Sequence, residues 1–372
     1  MVKKYHIFTL GCQMNHSDSE KLSYILDQLG LGSVPEKKAD LIIVNACSVR
    51  QKPIDRVWGK IKIWRKLKTQ PLIVLTGCVL DKDLRKLRPK FDFWFPITGI
   101  ENFISWLENK LDPLDKDKIS DFQKNDYLDI KAKNQKGKSA LVPIMSGCDN
   151  FCSYCAVPFT RGREWSRDEK SILEEVQCLV KKGYKEIVLL GQNVCSYQNK
   201  KYKSKHKNYF VLLLKRIAGI PGDFRIKFLS PHPKDISLDL IELIAKEPKL
   251  SKEIHLPLQS GDKKILKNMN RGYSPKDFLE ITKKLREKVS ELKLSTDIIV
   301  GFPNEDKKSF GNTVRLVKSC QLNKAFIAMY SPRPGTLAEQ KMTDNVPLEE
   351  KRRRWRILDN LINKKASLEV KN

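Results

Sequence analysis

The sequence contains few histidines, a deficit of acidic residues and no long apolar run. Only five of its 372 residues are histidine, and none of them lies near the cysteine-rich stretch at residues 147–155. No apolar run approaches the length of a membrane span, and the one that follows Lys4 ends by Gly11, too early for a secretory leader. Nine cysteines, an odd number, make a disulfide framework unexpected without such a leader. We therefore expect a soluble, cytoplasmic protein whose thiols stay reduced.

Basic residues outnumber acidic ones by a wide margin. Lysine and arginine number 71 against 44 aspartates and glutamates, which gives a formal net charge of +27. Such a charge favours a polyanionic partner, nucleic acid before a membrane surface. Because the lysines are spread along the whole chain, a solvated basic surface without a partner stays open as the alternative.

Three cysteines occupy one short stretch, Gly147-Cys148-Asp149-Asn150-Phe151-Cys152-Ser153-Tyr154-Cys155. It follows an apolar run, Ala140 to Met145, whose length and composition indicate a buried strand. Three thiolates fall short of the four ligands that close a structural zinc site. They fit a [4Fe-4S] cluster in which one iron keeps a free site for a small ligand. A zinc site completed by the distant His232 or His255 is the alternative.

Three further cysteines follow three predicted strands near the N-terminus. Strand and helix alternate there, which predicts a parallel sheet with helices on its faces and a ligand site at the carboxyl ends of its strands. Cys12, Cys47 and Cys78 lie at those ends. A single such cysteine is more often a small buried residue, but three at neighbouring strand ends predict a second cluster, again with an open iron. The predicted strands are Tyr5–Leu10, Leu41–Val44 and Leu72–Thr76.

Composition and pattern divide the chain into four parts. The first is a Rossmann-like α/β domain, which a fourth strand at Phe91–Ile97 and a closing helix complete. A polar segment with few apolar residues then forms a linker. Strand and helix alternate again beyond it, which predicts a partial (β/α)6 barrel with its chemistry at the carboxyl rim of the strands, followed by a basic C-terminal helix. The predicted parts are residues 1–111, 112–138, 139–345 and 346–372.

Three cysteines fit no ligand spacing. Cys178 and Cys320 fall within predicted helices and are interpreted as packed thiols. Cys195 lies just past a rim strand of the predicted barrel, where its environment is less defined by the pattern.

A set of motifs spreads over nearly the whole chain. The matching stretches are the cysteine loop with Tyr154 before its last cysteine, Gly11-Cys12-Gln13-Met14-Asn15 with Asp18-Ser19-Glu20, Asn45-Ala46-Cys47-Ser48-Val49-Arg50, Thr160-Arg161-Gly162-Arg163-Glu164 and His255-Leu256-Pro257-Leu258-Gln259-Ser260-Gly261. This set resembles the methylthiotransferase family of radical S-adenosylmethionine (SAM) enzymes, and within it the MiaB type that modifies tRNA. Relatives that act on a ribosomal protein or on threonylcarbamoyl-adenosine usually carry Pro-Lys or Lys-Val where this chain has Gln13-Met14.

The resemblance implies transfer of a methylthio group to carbon 2 of the N6-isopentenyladenosine beside the tRNA anticodon. An aromatic C–H bond offers no handle to an acid or a base, which is consistent with a radical initiator. By resemblance, the cluster at Cys148, Cys152 and Cys155 binds SAM and cleaves it to a 5′-deoxyadenosyl radical. The cluster at the other three cysteines presents sulfur that a second SAM methylates. The residues implied to line the SAM groove are Tyr154, Gln192, Ser260 and Gly301, although strand-end turns would explain them equally.

The resemblance also implies partners and two departures from the family. The expected partners are tRNA and a low-potential electron donor, and we expect a monomer. Asn304 stands where a glycine is usual in Gly-Phe-Pro-Gly-Glu, a restriction if that turn needs a positive φ. A small RNA-binding β-barrel, the TRAM domain, would follow the last helix in relatives, and the chain stops before it at Asn372.

Rival functions remain within and outside the enzyme class. The rival within the enzyme class is a methylthiotransferase that acts on threonylcarbamoyl-adenosine or on a ribosomal protein. Outside it stands a basic RNA-binding protein with structural zinc, which would leave two cysteine trios each short of a fourth ligand.

Overall fold

A computed structural model describes residues 1–49, 51–111, 127–133, 138–198 and 208–364. Most of the predicted linker, at 112–126 and 134–137, lies outside these residues, as does the end of the chain after 364. The described chain is an α/β protein with two sheet regions, one in each of the two predicted domains.

The N-terminal domain is built on a five-stranded parallel sheet, as the alternation of strand and helix predicts. Its strand order is β2-β1-β3-β4-β5. The three long strands extend to or close to the cysteines. The strand predicted at Leu41–Val44 runs three residues further than expected, and the strand predicted at Leu72–Thr76 runs two residues further. The strands are β1 Lys4–Leu10, β2 Gly32–Ser33, β3 Leu41–Cys47, β4 Leu72–Cys78 and β5 Phe93–Trp94.

Four helices cover this sheet, and the pattern of burial explains why. The first six residues of β3 are all buried, because helices lie over both faces of a parallel sheet. The predicted long strand at Phe91–Ile97 is wrong in extent: Pro96 has no N–H for a strand ladder, and a 3-10 turn at Ile97–Gly99 replaces the pairing. The helices are α1 Gln13–Gln28, α2 Gln51–Trp64, α3 Asp81–Leu87 and α4 Ile100–Glu108.

The second domain carries six parallel strands in two halves of three. The orders are β10-β9-β6 and β11-β12-β13, and a parallel bridge from Ile226 to Leu250 joins β10 to the chain just before β11. This confirms a partial (β/α)6 barrel. A short antiparallel pair, β7 Met145–Ser146 with β8 Trp165–Ser166, frames the cysteine loop. The barrel strands are β6 Ser139–Pro143, β9 Glu186–Leu190, β10 Arg225–Phe228, β11 Glu253–His255, β12 Lys293–Val300 and β13 Lys324–Met329.

Helices follow the barrel strands at the expected intervals. Most begin at a residue whose side chain accepts a hydrogen bond from the first turn; for example, Ser274 and Asp277 form a reciprocal capping box at the start of α10. The helices are α5 Val157–Arg161, α6 Glu169–Lys181, α7 Tyr209–Ala218, α8 Leu238–Lys246, α9 Lys263–Asn268, α10 Pro275–Lys288, α11 Lys307–Cys320, α12 Leu337–Lys341 and α13 Leu348–Asp359.

One of the hydrophobic cores is formed by residues of both domains. Alternate residues of β9 point to opposite sides: Ile187 and Leu189 pack against the barrel helices, whereas Val188 and Leu190 join the core beneath the N-terminal sheet. Residues 127–130, which belong to the predicted linker, are part of that core, because Tyr127 and its neighbours bury their apolar side chains there. Residues 127–130 of the linker are therefore packed structure that contacts both domains.

Two of the remaining cysteine interpretations differ in outcome. Cys320 is buried in the barrel core, which confirms it as a packed thiol. Cys178 is exposed, so its interpretation as a packed thiol is wrong. The buried positions of α6 recur at Ile172, Val176 and Leu179, which leaves Cys178 on the opposite, solvent-facing side of the helix.

The C-terminal helix α13 covers the edge of the barrel sheet. Trp355 donates from its indole N–H to the carbonyl of Ile327, and Asn363 both donates to and accepts from the backbone of Ala325. Within the described residues, none of the helices is both long and apolar enough to traverse a membrane.

Candidate active site

The cysteine loop between β7 and α5, called the loop site here for Cys148, Cys152 and Cys155, is held by backbone contacts on several sides. Gly147 has φ +79°, and a Cβ there would lie 2.0 Å from the carbonyl oxygen of Arg163, so only glycine fits. Asn270 donates from its amide to the carbonyls of Asn150 and Phe151 at 3.0 and 3.1 Å. The loop is thereby pinned to the turn that follows α9.

One buried arginine belongs to the loop site. Arg271 donates to the sulfur of Cys152 at 3.3 Å and to the carbonyl of Pro257 at 3.0 Å, and its guanidinium lies over the ring of Tyr273. Burial raises the pKa of Cys148, and burial together with the neighbouring Cys152 raises the pKa of Cys155 to about 12. As free thiols these side chains therefore resist ionisation, and a bound metal would have to displace their protons.

The auxiliary site, defined by Cys12, Cys47 and Cys78, is set by sheet topology. Cys47 and Cys78 are the last residues of two adjacent strands and stand opposite each other in register. Cys12 precedes the first turn of α1, beside the end of β1. Gly77, with φ +104°, allows the close approach of the two strand ends, since a Cβ would lie 2.2 Å from the carbonyl oxygen of Ala46.

Two buried asparagines join the motifs of the auxiliary site. Asn15 donates to the side-chain oxygen of Asn45 at 3.0 Å, and Asn45 donates in return to the carbonyl of Asn15 at 2.8 Å. The side-chain oxygen of Asn15 also accepts from the N–H of Cys12 at 3.2 Å. These amides fix the start of α1 over the end of β3, which brings the first cysteine towards the other two.

A second buried arginine crosses from one domain to the other. Arg161, the last residue of α5, donates to the sulfur of Cys78 at 3.0 Å and to the carboxylate of Asp18 at 2.6 Å. The side chains of Arg161 and Asp18 are 2% and 0% exposed, so this ion pair is fully desolvated. Tyr127 donates its hydroxyl to Asp18 as well, and Lys21 donates to the backbone carbonyls of Tyr127 and Leu128. The network ties α1, α5 and the packed segment at 127–130 together.

The buried groups of this network shift one another's pKa. Burial alone would lower the pKa of Arg161, but the Asp18 carboxylate raises it well above the ordinary value, so the guanidinium stays charged. Burial raises the pKa of Tyr127, and the charge of Asp18 raises it further. The pKa of Cys78 is lowered, first by its hydrogen bond with Cys47 and then by the charge of Arg161. The auxiliary site thus already favours one thiolate.

The donor chemistry of both sites fits iron–sulfur clusters. The six cysteines carry free thiols, in two sets of three. Among the described residues, no group of three or more His, Cys, Asp or Glu side chains is compact enough to hold a single metal ion. A [4Fe-4S] cube is wider than one ion and takes thiolate ligands. The zinc alternative would also require His232 or His255. Both ring nitrogens of His255 are instead within 3.0 Å of Ser295 and Asp297, and Nδ1 of His232 accepts from the N–H of Lys234.

Unpartnered polar atoms at the barrel strand ends fit a polar ligand. Buried donors and acceptors nearly always have a hydrogen-bond partner, so several without one at the same rim indicate a binding site. Four such atoms follow β6, β9, β10 and β11, and they have no partner among the described residues. They are Ser146 Oγ, Gln192 Oε1, His232 Nε2 and Gln259 Oε1. A SAM molecule, with its amino, carboxylate and ribose groups, supplies the complementary atoms.

The predicted SAM residues have different surroundings. Gln192 has the unpartnered oxygen just described, and Tyr154 packs edge-on against Phe302 with ring centroids 6.5 Å apart. Ser260 is fully buried, and its hydroxyl contacts Thr313. Gly301 has φ +69°, and a Cβ there would lie 2.3 Å from the side chain of Lys351. The assignment of these four to SAM stays a prediction.

The turn at Asn304 has the positive φ that the usual glycine at this position suggests. Its φ is +65°, in the region that glycine tolerates best and asparagine next. The side chains of Asn304 and Asn345 hold the turn, because Asn345 accepts from the Asn304 N–H and donates to its side-chain oxygen, both at 2.9 Å.

The arginines that contact the cysteines were not predicted as site residues. Arg161 lies in a quoted motif, but its partner Asp18 is 143 positions away, a distance that a single sequence does not bridge. Arg271 had no motif at all. The signal in the sequence for this residue is the polar stretch that follows α9, because packing of the barrel alone does not require polar side chains there.

Comparisons with known proteins agree with this geometry. The chain matches the model of the radical SAM superfamily over residues 142–317 and that of uncharacterized protein family UPF0004 over residues 4–96. By structure it is similar to the radical SAM methyltransferase TsrM from Kitasatospora setae, with a TM-score of 0.61 at 13% identity over 91% of this chain and 77% of that one. At that identity the likeness concerns the fold alone.

Relatives of similar length share sequence along nearly the whole chain. A tRNA-2-methylthio-N(6)-dimethylallyladenosine synthase from Thermotoga petrophila is 40% identical over 98% of this chain and 83% of its own length. One from Clostridium botulinum strain Langeland is 41% identical over 97% of this chain and 82% of its own length. The chain therefore belongs to the family of tRNA-2-methylthio-N(6)-dimethylallyladenosine synthases, the MiaB-type radical SAM methylthiotransferases.

Proposed function

We propose that this enzyme transfers a methylthio group to carbon 2 of N6-isopentenyladenosine next to the anticodon of tRNA. The observation that carries the proposal is the pair of three-thiol sites, one on the barrel rim and one on the neighbouring sheet, linked by Arg161. The two [4Fe-4S] clusters and SAM supply the radical, the sulfur and the methyl group when they are bound. Each site has three thiols and so leaves one iron open, as this chemistry needs.

The protein's own residues position these groups. The pinned loop places Cys148, Cys152 and Cys155 at the carboxyl ends of the barrel strands, where the unpartnered atoms of Gln192 and His232 can receive SAM. The two domains share a core, so the distance between the sites is fixed by packing rather than by a flexible linker.

Exposed apolar side chains beside the cysteines suit a prenylated base. Val49 is 38% exposed two residues after Cys47, Phe151 is 38% exposed within the loop site, and Phe159 is 54% exposed four residues after Cys155. An isopentenyl group buried against such residues would contribute about 2 to 3 kcal/mol. A threonylcarbamoyl carboxylate in the same place would need a charged partner.

Of the two subgroup residues Gln13 and Met14, only one faces the auxiliary site. Gln13 and Met14 both follow Cys12 directly, but Met14 is 4% exposed and packs in the core beneath the sheet. Consecutive helical residues point about 100° apart, so only one of the two can face the site. Gln13, which is exposed next to Cys12, is the residue that reaches the substrate side.

The experiment is methylthiolation of defined tRNAs by the reconstituted enzyme with SAM and a strong reductant. Mass spectrometry of digested tRNA should find 2-methylthio-N6-isopentenyladenosine and almost no product from unmodified or threonylcarbamoylated adenosine. Equal product from the threonylcarbamoyl substrate, or a modified ribosomal protein instead, would contradict the proposal. We also propose that the enzyme is a cytoplasmic monomer reduced by a low-potential electron donor, to be checked by sedimentation and by reductant-dependent turnover.

A further inference from the structure

Each cysteine site contains one buried arginine that donates to one thiol sulfur. At the loop site, Arg271 comes from the same domain as its partner Cys152. At the auxiliary site, Arg161 comes from the barrel domain, whereas its partner Cys78 ends a strand of the N-terminal sheet. The second contact therefore crosses the boundary between the two domains.

The contact of Arg161 with Cys78 is short and desolvated. The guanidinium Nε lies 3.0 Å from the sulfur, and Cys78 itself is buried. Asp18 and Tyr127 lie against Arg161, and Lys21 is a further cation close to this network. Asp18 offsets part of the positive charge of Arg161, so the hydrogen bond from Nε to the sulfur, in a place where few waters can compete, is the contact through which the guanidinium acts on Cys78.

We propose that Arg161 is a positioning residue for the auxiliary cluster, which it holds by the Cys78 sulfur and whose reduced form it stabilises. Hydrogen bonds to ligand sulfurs and nearby positive charge raise the reduction potential of an iron–sulfur cluster. When the cluster passes from the 2+ to the 1+ state it accepts one electron and no bond breaks, so its negative charge grows beside the guanidinium. The inference rests on the proposed function insofar as that function makes Cys78 a cluster ligand.

The test is EPR-monitored potentiometry of the auxiliary cluster alone, with dithionite as the electron donor. The background is the full chain with Cys148, Cys152 and Cys155 changed to Ala, which leaves only the auxiliary cluster. Arg161→Met, which keeps length but neither charge nor donor, should move the midpoint potential to more negative values. Arg161→Lys should restore part of the shift, because it keeps the charge and loses the forked donor.

A second pair of variants, neither of which leaves Asp18 unpaired, keeps the test valid if Arg161→Met alone fails to fold. Asp18→Asn and Asp18→Asn with Arg161→Met differ only in the arginine, and no carboxylate is left unpaired in either. The double variant should have the more negative potential. Equal potentials in these two variants, with equal iron content, would overturn the proposal.

Arg271→Met is the matched control, since it removes the other sulfur-directed arginine. In the same background it should leave the auxiliary potential unchanged; an equal shift would show that the effect is not local and would also overturn the proposal. Iron content separates the two levels of inference. If Cys78→Ala leaves iron binding intact, the ligand assignment within the proposed function fails, whereas a bound cluster whose potential ignores Arg161 refutes only the role of Arg161.

Discussion

The loop site and the auxiliary site each consist of three cysteine thiols, but the fold assembles the two sets in opposite ways. The loop site takes its cysteines from eight consecutive residues, so local backbone contacts suffice to form it. The auxiliary site takes them from the ends of three strands, and it exists only once the sheet has its order β1-β3-β4. Even then one of its sulfurs depends on an arginine of the other domain. The first site is a property of a segment, and the second is a property of the folded chain.

The largest expected effect separates the two sites by function. Changing Cys148, Cys152 and Cys155 to Ala should leave about half of the roughly eight irons per chain and abolish SAM cleavage. Changing Cys12, Cys47 and Cys78 to Ala should leave the same iron content and retain SAM cleavage while the methylthiolated nucleoside disappears. Iron and sulfide analysis with product chromatography measures all three quantities. If either triple variant lost all iron, the two sites would not be independent.

The next effect tests whether the auxiliary site depends on the second domain. Asp18→Ala leaves Arg161 buried without its counter-ion and should lower the free energy of unfolding by about 3 to 5 kcal/mol. Chemical denaturation of the cluster-free protein measures it. Asp223, whose ion pair with Lys185 is exposed, is the control, and Asp223→Ala should give no measurable change. Equal midpoints for the two variants would mean that the domains are held by their shared core alone.

Glycine substitutions compare the backbone of the two sites directly. Gly147→Ala and Gly77→Ala each combine a positive φ with a Cβ position within 2.2 Å of a carbonyl oxygen, so each should cost at least about 2 kcal/mol. Gly183 also has a positive φ, of +86°, but nothing lies within 4 Å of its Cβ position, and Gly183→Ala should cost only about 1 kcal/mol. Thermal unfolding ranks the three. Iron bound by each variant then shows which site the strain disrupts.

The smallest effect is expected on the C-terminal helix, whose basic residues at 351–356 allow two interpretations, a contact with the tRNA backbone or a solvated helix face. Lys351 and Arg354 are buried and bonded to Asp344 and Glu305, so they cannot reach a phosphate. Arg352→Gln should therefore flatten the salt dependence of tRNA binding by only about one unit of slope. Arg354→Gln, in contrast, should lower stability. An unchanged slope for Arg352→Gln would show that Arg352 contacts no phosphate, as expected of a solvated helix face.

What could be predicted from the sequence follows the same division. The loop site, the strand ends at Cys12, Cys47 and Cys78, and the alternation of strand and helix depend on short-range pattern, and the structure reproduces them. The assignment of those cysteines to clusters remains a prediction for the iron measurements above. Contacts between distant segments, such as Arg161 with Asp18, depend on how two domains pack, which no local period encodes. The packing of residues 127–130, within the predicted linker, was missed for the same reason, since Tyr127, Leu128 and Ile130 are buried but form too short an apolar stretch to reveal it.

The side chains that cover strand β13 have a consequence for the chain before it is fully folded. An edge strand offers its free N–H and C=O groups as a template on which another polypeptide can add a strand. Trp355, in helix α13, and Asn363, in the π-helical turn Asn360–Lys364 that continues it, occupy these groups at Ile327 and Ala325, so this C-terminal segment blocks intermolecular β-pairing. A nascent chain released before this helix emerges would present an open edge with the exposed apolar side chains of Phe326 and Met329, and it would be prone to aggregate.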